Sequence, residues 1–305
     1  MTTFNPEFKS YVDENAREFN YVRIDNNSST TVIHFSAFFG EWGDRAENRK
    51  QFKGYFHRLK MLGVDERYNW LFLCDTFGAD QNGTYYFGED GDDFVFRAMN
   101  QIFLLEGLSS NSNQKVITVG SSMGATGALV FGLNWKAKGI IAICPHIDLD
   151  TSALTQDRMR HVLKTLRVKD LYAESERNIL RPVARQLSKF ESELKLPTLF
   201  IQSCKDDHGV HYEQVLPLIE AWSRKGGSVS LDERDSGGHT SEYATKELLL
   251  SAISKIAEGE ELPIKDYANS RRYQPKKDRK AKRAGFRLLN LILAITKRIN
   301  SRLAK

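Results

Sequence analysis

Apolar residues along the chain fall into short continuous runs and into longer segments with helical spacing. The runs that predict strands are Phe19–Ile24, Thr31–Phe35, Asn69–Cys74, Val116–Val119, Gly139–Cys144, Thr198–Ser203 and Ser228–Asp232. The segments that predict helices are Asn48–Leu62, Asp93–Leu108, Ala125–Gly132, Gln214–Lys225 and Ser241–Ala257. Strands alternate with helices from Thr31 onward, and parallel strands need helical crossovers. We therefore predict an α/β fold with a doubly wound, mostly parallel sheet.

Two stretches depart from this alternation. Residues 151–194 contain polar segments with helical spacing and no strand, which predicts a helical cap over the carboxyl-terminal edge of the sheet. Residues 271–305 begin with a basic run and continue, from Phe286 to Leu303, as a predicted amphipathic helix. The expected organisation is a main α/β domain over residues 1–270, followed by a basic linker and helix over residues 271–305.

Charge separates the same two parts of the chain. Residues 271–305 hold 13 Lys and Arg and one acid, a charge of +12, whereas the whole chain carries +5, so the preceding part carries −7. The apolar run of the tail is too short to span a bilayer. A basic amphipathic helix is typical of binding to an anionic membrane surface, which we predict for Phe286 to Leu303. Docking on a protein surface is the alternative, and we expect no specific nucleic-acid partner.

Composition favours a globular protein in a reducing compartment. A hydrophobic content of 41% is sufficient for a sizeable core. Cys74, Cys144 and Cys204 end predicted strands without metal-type spacing, so we predict buried, reduced thiols. The amino-terminal stretch is polar and lacks the apolar segment of a secretory signal. The expected location is the cytoplasm, with the tail placed peripherally at the inner face of the membrane.

Candidate chemistry begins where the Val116–Val119 run ends. The sequence there is Gly120-Ser121-Ser122-Met123-Gly124. Gly-x-Ser-x-Gly between a strand and a helix is typical of a nucleophile elbow, in which a strained turn exposes the central serine. The two glycines are expected to leave room for the neighbouring strand and helix. Because so short a pattern also occurs by chance, its interpretation depends on partner residues elsewhere.

Partners occur in the order that this type of site requires. A serine nucleophile needs a general base, and the base needs an acid that orients it, in the chain order Ser, acid, His. Asp206 and Asp207 follow the Thr198–Ser203 run, and His239 follows the last predicted strand. We prefer Asp207 because it lies three residues after Cys204. We prefer His239 because two glycines precede it; the other histidines considered for this role are His146, His208 and His211.

An acyl-transfer site also needs N–H donors for an oxyanion. One donor is expected at Met123, directly after the nucleophile, and the second in the loop after Thr31–Phe35, at Ala37 or Phe38. His34 lies inside that strand and is interpreted as a core histidine. The spacing of His208 and His211 is weak for zinc, so no metal is expected.

Several segments together resemble the α/β-hydrolase-fold O-acetyltransferases of bacterial capsule loci, of the type that acetylates the meningococcal serogroup A capsule. The matching segments are Thr31–Phe38, Gly83–Tyr86, Gly120–Ser122, Gly127–Leu129, Lys205–Asp207 and Ser236–His239. The resemblance implies an α/β-hydrolase fold and a triad of Ser122, Asp207 and His239. It also implies acetyl transfer from acetyl-CoA to a sugar hydroxyl, without a tightly bound cofactor. Met123 stands where the resemblance places a lysine.

Three functional hypotheses follow from these observations. The first is a serine-dependent acyltransferase that acetylates a cell-surface or capsular glycan through an acyl-Ser122 intermediate. The second is a carboxylesterase or deacetylase that uses the same triad on a small ester, and the third is a non-enzymatic interaction protein of the same fold. Tyr85 and Tyr86 lie in the long loop of residues 75–92 and are candidates to stack on a sugar ring, with packing of the loop as the alternative.

Overall fold

The computed structural model describes residues 5–38, 56–78, 83–88, 93–109, 113–149, 166, 179–190, 195–260 and 262. All of these residues belong to one unit of the chain, residues 1–264. The predicted tail of residues 271–305 lies outside the described residues. The predicted cap of residues 151–194 also lies outside them, apart from residue 166 and residues 179–190.

One mixed sheet organises the part of the chain that the structure describes. Its strands are β1 (Glu7–Val12), β2 (Glu18–Ile24), β3 (Thr30–Phe35), β4 (Asn69–Leu73), β5 (Lys115–Ser121), β6 (Gly139–Ile143), β7 (Thr198–Cys204) and β8 (Val229–Arg234). Their order in the sheet is β1-β2-β4-β3-β5-β6-β7-β8. The β1–β2 and β2–β4 pairs are antiparallel and the remaining pairs are parallel. The predicted α/β fold is confirmed.

Helices connect the parallel strands. The described helices are α1 (Leu59–Leu62), α2 (Phe94–Leu105), α3 (Met123–Asn134), α4 (Pro182–Ser188), α5 (His208–Val210), a π-helical turn (His211–Val215), α6 (Leu216–Arg224) and α7 (Lys246–Glu258). Central strands such as β4 and β6 are buried along their whole length, because helices and loops cover both faces of the sheet. The carboxyl ends of β5, β7 and β8 therefore share one edge, and the loops that leave them can meet there.

Among the described residues, aromatic and aliphatic side chains form the core on both faces of the sheet. On one face, Val32, Phe72 and Val119 pack in the same cluster as Leu249 and Ile253 of α7. On the other face, aromatic rings from strand and helix pack against one another. The rings in that group are Phe35, Phe131, Trp135 and Phe103, with centroids 5.5 Å, 4.8 Å and 4.3 Å apart in succession.

Tertiary contacts override the sequence pattern at three places. The strand β1 is absent from the predicted elements because most of its residues are exposed, and it is held by pairing with β2. The predicted helix Asn48–Leu62 is wrong at residues 56–58, since α1 begins only at Leu59 and Arg58 has a φ of 63°. The last helix begins at Lys246 rather than Ser241, because the Thr245 side chain accepts a hydrogen bond from the Leu248 N–H and caps it there.

Candidate active site

Ser122 occupies a sharp turn between β5 and α3. Its backbone has φ 54° and ψ −121°, a conformation in which a non-glycine residue is strained. A Cβ on Gly120 would lie 2.0 Å from the Gly124 carbonyl oxygen, and a Cβ on Gly124 would lie 2.2 Å from the Phe35 carbonyl oxygen. Both obstacles are backbone atoms, which cannot swing away as a side chain can. The turn therefore requires glycine at both positions, as the sequence pattern predicts.

The three residues of the predicted triad lie in one hydrogen-bonded line. Ser122 Oγ is 2.9 Å from Nε2 of His239, and Nδ1 of His239 is 3.0 Å from Oδ2 of Asp207. The His239 and Asp207 side chains are 21% and 14% exposed, so the line is partly shielded from water. A serine hydroxyl that faces one imidazole nitrogen, with a carboxylate on the other, has the geometry for nucleophilic attack assisted by a general base.

The neighbouring carboxylate, Asp206, binds backbone rather than the imidazole. Its Oδ2 accepts the Gly237 N–H at 3.0 Å and its Oδ1 accepts the Gly238 N–H at 2.8 Å. These N–H donors lower the pKa of Asp206 below its usual value. The structure thus brings Asp207 to His239, the arrangement predicted from spacing, and gives Asp206 a part in holding the same loop.

Two of the other histidines considered from the sequence, His208 and His211, lie in different surroundings. His211 is buried, with Nδ1 2.8 Å from Ser203 Oγ and Nε2 3.2 Å from Glu233 Oε2. Burial lowers the pKa of His211. His208 stacks on Tyr212 at the start of the helical stretch after Asp207.

His34 is a buried core residue, as the sequence predicts. Neither of its ring nitrogens has a hydrogen-bond partner in the described part of the molecule. Burial, together with the nearby Arg58 and His57, lowers its pKa well below the usual value. The ring therefore stays neutral at physiological pH and packs as an aromatic group near Phe72.

The close packing of Gly124 brings the two predicted oxyanion donors into the same neighbourhood. A Cβ on Gly124 would lie 2.2 Å and 2.8 Å from the carbonyl oxygens of Phe35 and Ser36. The start of α3 and the end of β3 therefore touch directly beside Ser122. Met123 is the first residue of α3, and Ala37 and Phe38 follow the end of β3, so the oxyanion role expected of their N–H groups stays a prediction. A helix amino terminus at this point also favours negative charge.

The Met123 side chain points away from solvent and packs under the loop that contains Gly83. It is fully buried, and a Cβ on Gly83 would lie 2.5 Å from its terminal methyl carbon. The residue that differs from the expected lysine therefore fixes this loop against the nucleophile turn.

Tyr85 and Tyr86 are buried, which corrects one of the two interpretations made from the sequence. They are 2% and 0% exposed, so neither ring presents a face to a sugar. The Tyr86 hydroxyl donates to the Ser36 carbonyl oxygen at 2.9 Å. Both residues have positive φ, 56° and 64°, and the buried Asp75 carboxylate holds their backbone by accepting the Thr84 and Tyr86 N–H groups at 2.6 Å and 2.8 Å. Packing of the loop is the role that the structure supports.

Two residues near the site have contacts that the sequence did not reveal: His146, which was considered only as an alternative general base, and Arg58, which was not considered. The ring of His146 stacks on the ring of His239, and Arg58 donates to Ser121 Oγ at 2.6 Å and to the Ser241 carbonyl oxygen at 3.4 Å. Arg58 thereby connects the nucleophile turn with the loop after His239. No sequence pattern predicts either contact, because both join segments that are far apart in the chain.

The cysteines are buried and free, as predicted. Burial raises the pKa of Cys144 to about 12, so its thiol stays protonated at neutral pH and is a poor nucleophile. Among the described residues, no group of three or more His, Cys, Asp or Glu is arranged to hold a metal ion. In the same part of the chain, no helix has the length and apolar character that crossing a membrane requires.

Comparison with solved structures finds enzymes of one fold. The chain is similar to the capsule O-acetyltransferase of Neisseria meningitidis serogroup A, with a TM-score of 0.59 at 23% identity over 77% of this chain and 90% of that one. A structure of that enzyme in complex with CoA gives a TM-score of 0.57 at 19% identity, over 81% and 94% of the two chains. An S-formylglutathione hydrolase from Agrobacterium tumefaciens gives a TM-score of 0.55 at 14% identity, over 85% of this chain and 97% of that one.

This chain has the α/β-hydrolase fold. The strand–turn–helix at Ser122 and the position of the acid and histidine at one sheet edge agree with that fold. No protein-family model matches the sequence, and no curated protein matches it closely enough to be reported as a relative. At these identities the similarity establishes the α/β-hydrolase architecture, while the chemistry has to be argued from the site.

Proposed function

We propose that this protein is a serine-dependent acyltransferase that moves an acetyl group onto a hydroxyl of a cell-surface or capsular glycan. The observation that carries the proposal is the line from Ser122 Oγ through His239 to Asp207, with heavy-atom distances of 2.9 Å and 3.0 Å. The strained backbone of Ser122 supports it further, because strain of this kind is concentrated at functional sites.

The first half of the reaction forms an acyl-enzyme. Ser122 Oγ attacks the carbonyl carbon of a thioester while its proton passes to Nε2 of His239, and Asp207 stabilises the resulting imidazolium. The oxyanion of the tetrahedral intermediate accepts hydrogen bonds from the N–H of Met123 and from that of Ala37 or Phe38. Collapse breaks the carbon–sulfur bond, and the thiolate leaves with the proton held by His239.

The second half transfers the acyl group. A sugar hydroxyl gives its proton to Nε2 of His239 and attacks the acyl-Ser122 carbonyl carbon. The new tetrahedral intermediate collapses to the sugar ester, and Ser122 Oγ recovers its proton from His239. Acetyl-CoA is proposed as donor because the meningococcal enzyme of similar fold has been solved with CoA.

Hydrolysis is the second candidate function. Water in place of the sugar hydroxyl would make the protein a carboxylesterase or deacetylase with the same residues in the same roles. The similarity to an S-formylglutathione hydrolase favours this alternative at the level of fold. The two functions differ only in the group that attacks acyl-Ser122, so the acceptor must be determined by experiment.

The decisive experiment incubates the purified protein with acetyl-CoA and candidate capsular oligosaccharides and follows both product mass and free CoA. An acetylated sugar supports the transferase, and acetate without a modified sugar supports the hydrolase. Ser122→Ala is expected to abolish either activity, and mass spectrometry of the wild-type protein should reveal one acetyl group on the peptide that contains Ser122. Turnover that persists in Ser122→Ala would contradict the proposal.

We also propose that the tail from Phe286 to Leu303 binds an anionic membrane surface, where a capsular glycan is assembled. Its support is the charge of +12 on residues 271–305 and the apolar face predicted for the helix. Flotation with liposomes that contain anionic lipid should recover the full chain and not a chain truncated after Asn269. Equal flotation of the two forms would reject this part of the proposal.

A further inference from the structure

A second histidine covers one face of the His239 ring. The imidazoles of His146 and His239 lie with centroids 4.3 Å apart and an interplanar angle of 7°, which is a face-to-face stack. His146 is only 1% exposed, so this ring is enclosed by protein while it contacts the half-buried His239.

The backbone of His146 is tied to both elements that supply the other triad residues. Its carbonyl oxygen accepts the hydroxyl hydrogen of Thr126, one turn along α3 from Ser122. The Gln214 side chain, from the helical stretch that begins after Asp207, accepts the Ile147 and Asp148 N–H groups at 2.6 Å and 2.9 Å. The segment that presents His146 is therefore anchored at two sides of the site.

The ring of His146 also contacts Tyr85 at its edge. The Tyr85 hydroxyl lies 3.4 Å from Nδ1 of His146, and the two ring centroids are 6.2 Å apart. Tyr85 is itself fixed by the loop that the buried Asp75 carboxylate organises. The 83–88 loop therefore supports the His146 ring through Tyr85, and His146 in turn contacts His239.

From this geometry we propose that His146 is a positioning residue that fixes the tilt of the His239 ring. The ring plane of His239 turns about its Cβ–Cγ bond, and the hydrogen bonds from Nδ1 to Asp207 and from Nε2 to Ser122 restrain that rotation only at the ring edge. A ring stacked on the imidazole face restrains the same rotation from the side. This inference rests on the proposed function of Ser122 and His239.

Two substitutions separate the stack from other roles of His146. His146→Phe keeps a flat ring against His239 and removes the polar atoms, whereas His146→Asn keeps a polar group toward Tyr85 and removes the ring. We expect His146→Asn to lower kcat for 4-nitrophenyl acetate about tenfold with KM within about twofold, and His146→Phe to retain most of the wild-type kcat. Thermal melting of both variants shows whether each is folded.

A second measurement does not depend on activity. The ring resonances of His239, assigned by comparison with His239→Gln, are shifted by the ring current of a stacked neighbour. We expect them to move in His146→Asn and to stay near their wild-type positions, apart from a ring-current difference, in His146→Phe.

The outcomes distinguish the two proposals. Equal kcat values in wild type and His146→Asn, or equal losses in both variants, would overturn the positioning role. If the wild-type protein consumes neither acetyl-CoA nor the ester, the proposed function fails. The ring resonances of His239 then test the role of His146 on their own. Unchanged His239 resonances in His146→Asn would overturn the inference, and displaced ones would support it.

Discussion

Asp206 and Asp207 are neighbours in the chain, and they bind the loop of His239 at two different places. Oδ2 of Asp207 lies 3.0 Å from Nδ1 of the His239 ring, while the two oxygens of Asp206 accept the backbone N–H groups of Gly237 and Gly238. One carboxylate orients the imidazole, and the other holds the backbone that carries it. Successive residues point in different directions, so a single acidic dipeptide serves both purposes.

Matched amide substitutions should separate these two roles. Asp207→Asn removes the charge that stabilises the imidazolium and favours the wrong tautomer, so we expect kcat/KM for ester hydrolysis to fall by about 10³–10⁴-fold. Asp206→Asn keeps one oxygen acceptor for the loop, and we expect a loss of less than about tenfold, in line with a single weakened hydrogen bond. Steady-state kinetics on folded variants decide this. A larger loss in Asp206→Asn than in Asp207→Asn would show that the assignment of the acid is wrong.

Gly124→Ala tests the contact between α3 and β3. Helix propensity alone would favour alanine by about 1 kcal/mol, but the new Cβ would lie 2.2 Å from the Phe35 carbonyl oxygen. We expect the clash to dominate, with the free energy of unfolding lowered by about 1–3 kcal/mol and activity lost as the oxyanion donors separate. Urea unfolding and ester kinetics measure the two effects.

The matched control is Gly107→Ala. Gly107 has a φ of +71°, and a Cβ there would meet nothing within 4 Å. The expected cost is about 1–2 kcal/mol of backbone strain with unchanged kcat. If Gly124→Ala retained full activity, the close approach of α3 to β3 would not be needed for the site.

Arg58→Met tests the connection between the nucleophile turn and the loop after His239. The guanidinium joins Ser121 Oγ and the Ser241 carbonyl oxygen. Small displacements of reacting groups slow a reaction strongly, so we expect Arg58→Met to lower kcat for ester hydrolysis by about 10–10²-fold. Arg67→Met is the control, since Arg67 forms an exposed ion pair with Asp65 and should change stability by less than about 1 kcal/mol without changing kcat. Similar kinetics in the two variants would argue against a role for Arg58 in the site.

The buried carboxyl of Asp75 should make the free energy of unfolding depend on pH. Burial raises the pKa of Asp75 above its usual value, although the Thr84 and Tyr86 donors oppose the shift. A carboxyl whose folded-state pKa is raised stabilises the fold below its unfolded-state pKa, and this contribution is lost as the pH rises through the folded-state value. Asp75→Asn cannot titrate. We therefore expect the stability of wild type relative to Asp75→Asn to decrease as the pH rises above the unfolded-state pKa of about 3.9.

Urea unfolding of both proteins at intervals of pH measures this difference directly, because all other titrating groups are shared. A difference that increases with pH would mean that the hydrogen bonds outweigh burial at Asp75. Such a result would reverse the sign of the pKa shift and the explanation given for it.

Local sequence predicted the parts of this protein that depend on local backbone geometry. The Gly-x-Ser-x-Gly turn requires glycine wherever the backbone passes this close to its neighbours, so Gly120 and Gly124 mark Ser122 without knowledge of the fold. Spacing after a strand likewise selected Asp207 over Asp206. Tyr85 and Tyr86 could not be assigned in this way, since an aromatic pair in a loop has the same pattern whether it is exposed to a sugar or buried against Ser36.

The sequence by itself determined the order of the strands from β2 onward, the strained turn at Ser122, and the acid and histidine that follow two later strands, because each of these depends on periodicity or on short-range steric limits. Only the tertiary structure decided that His146 stacks on His239, that Arg58 joins two loops, and that β1 pairs with β2. Those contacts join segments distant in the chain, and their free energy comes from packing and hydrogen bonding that exist only once the sheet has formed.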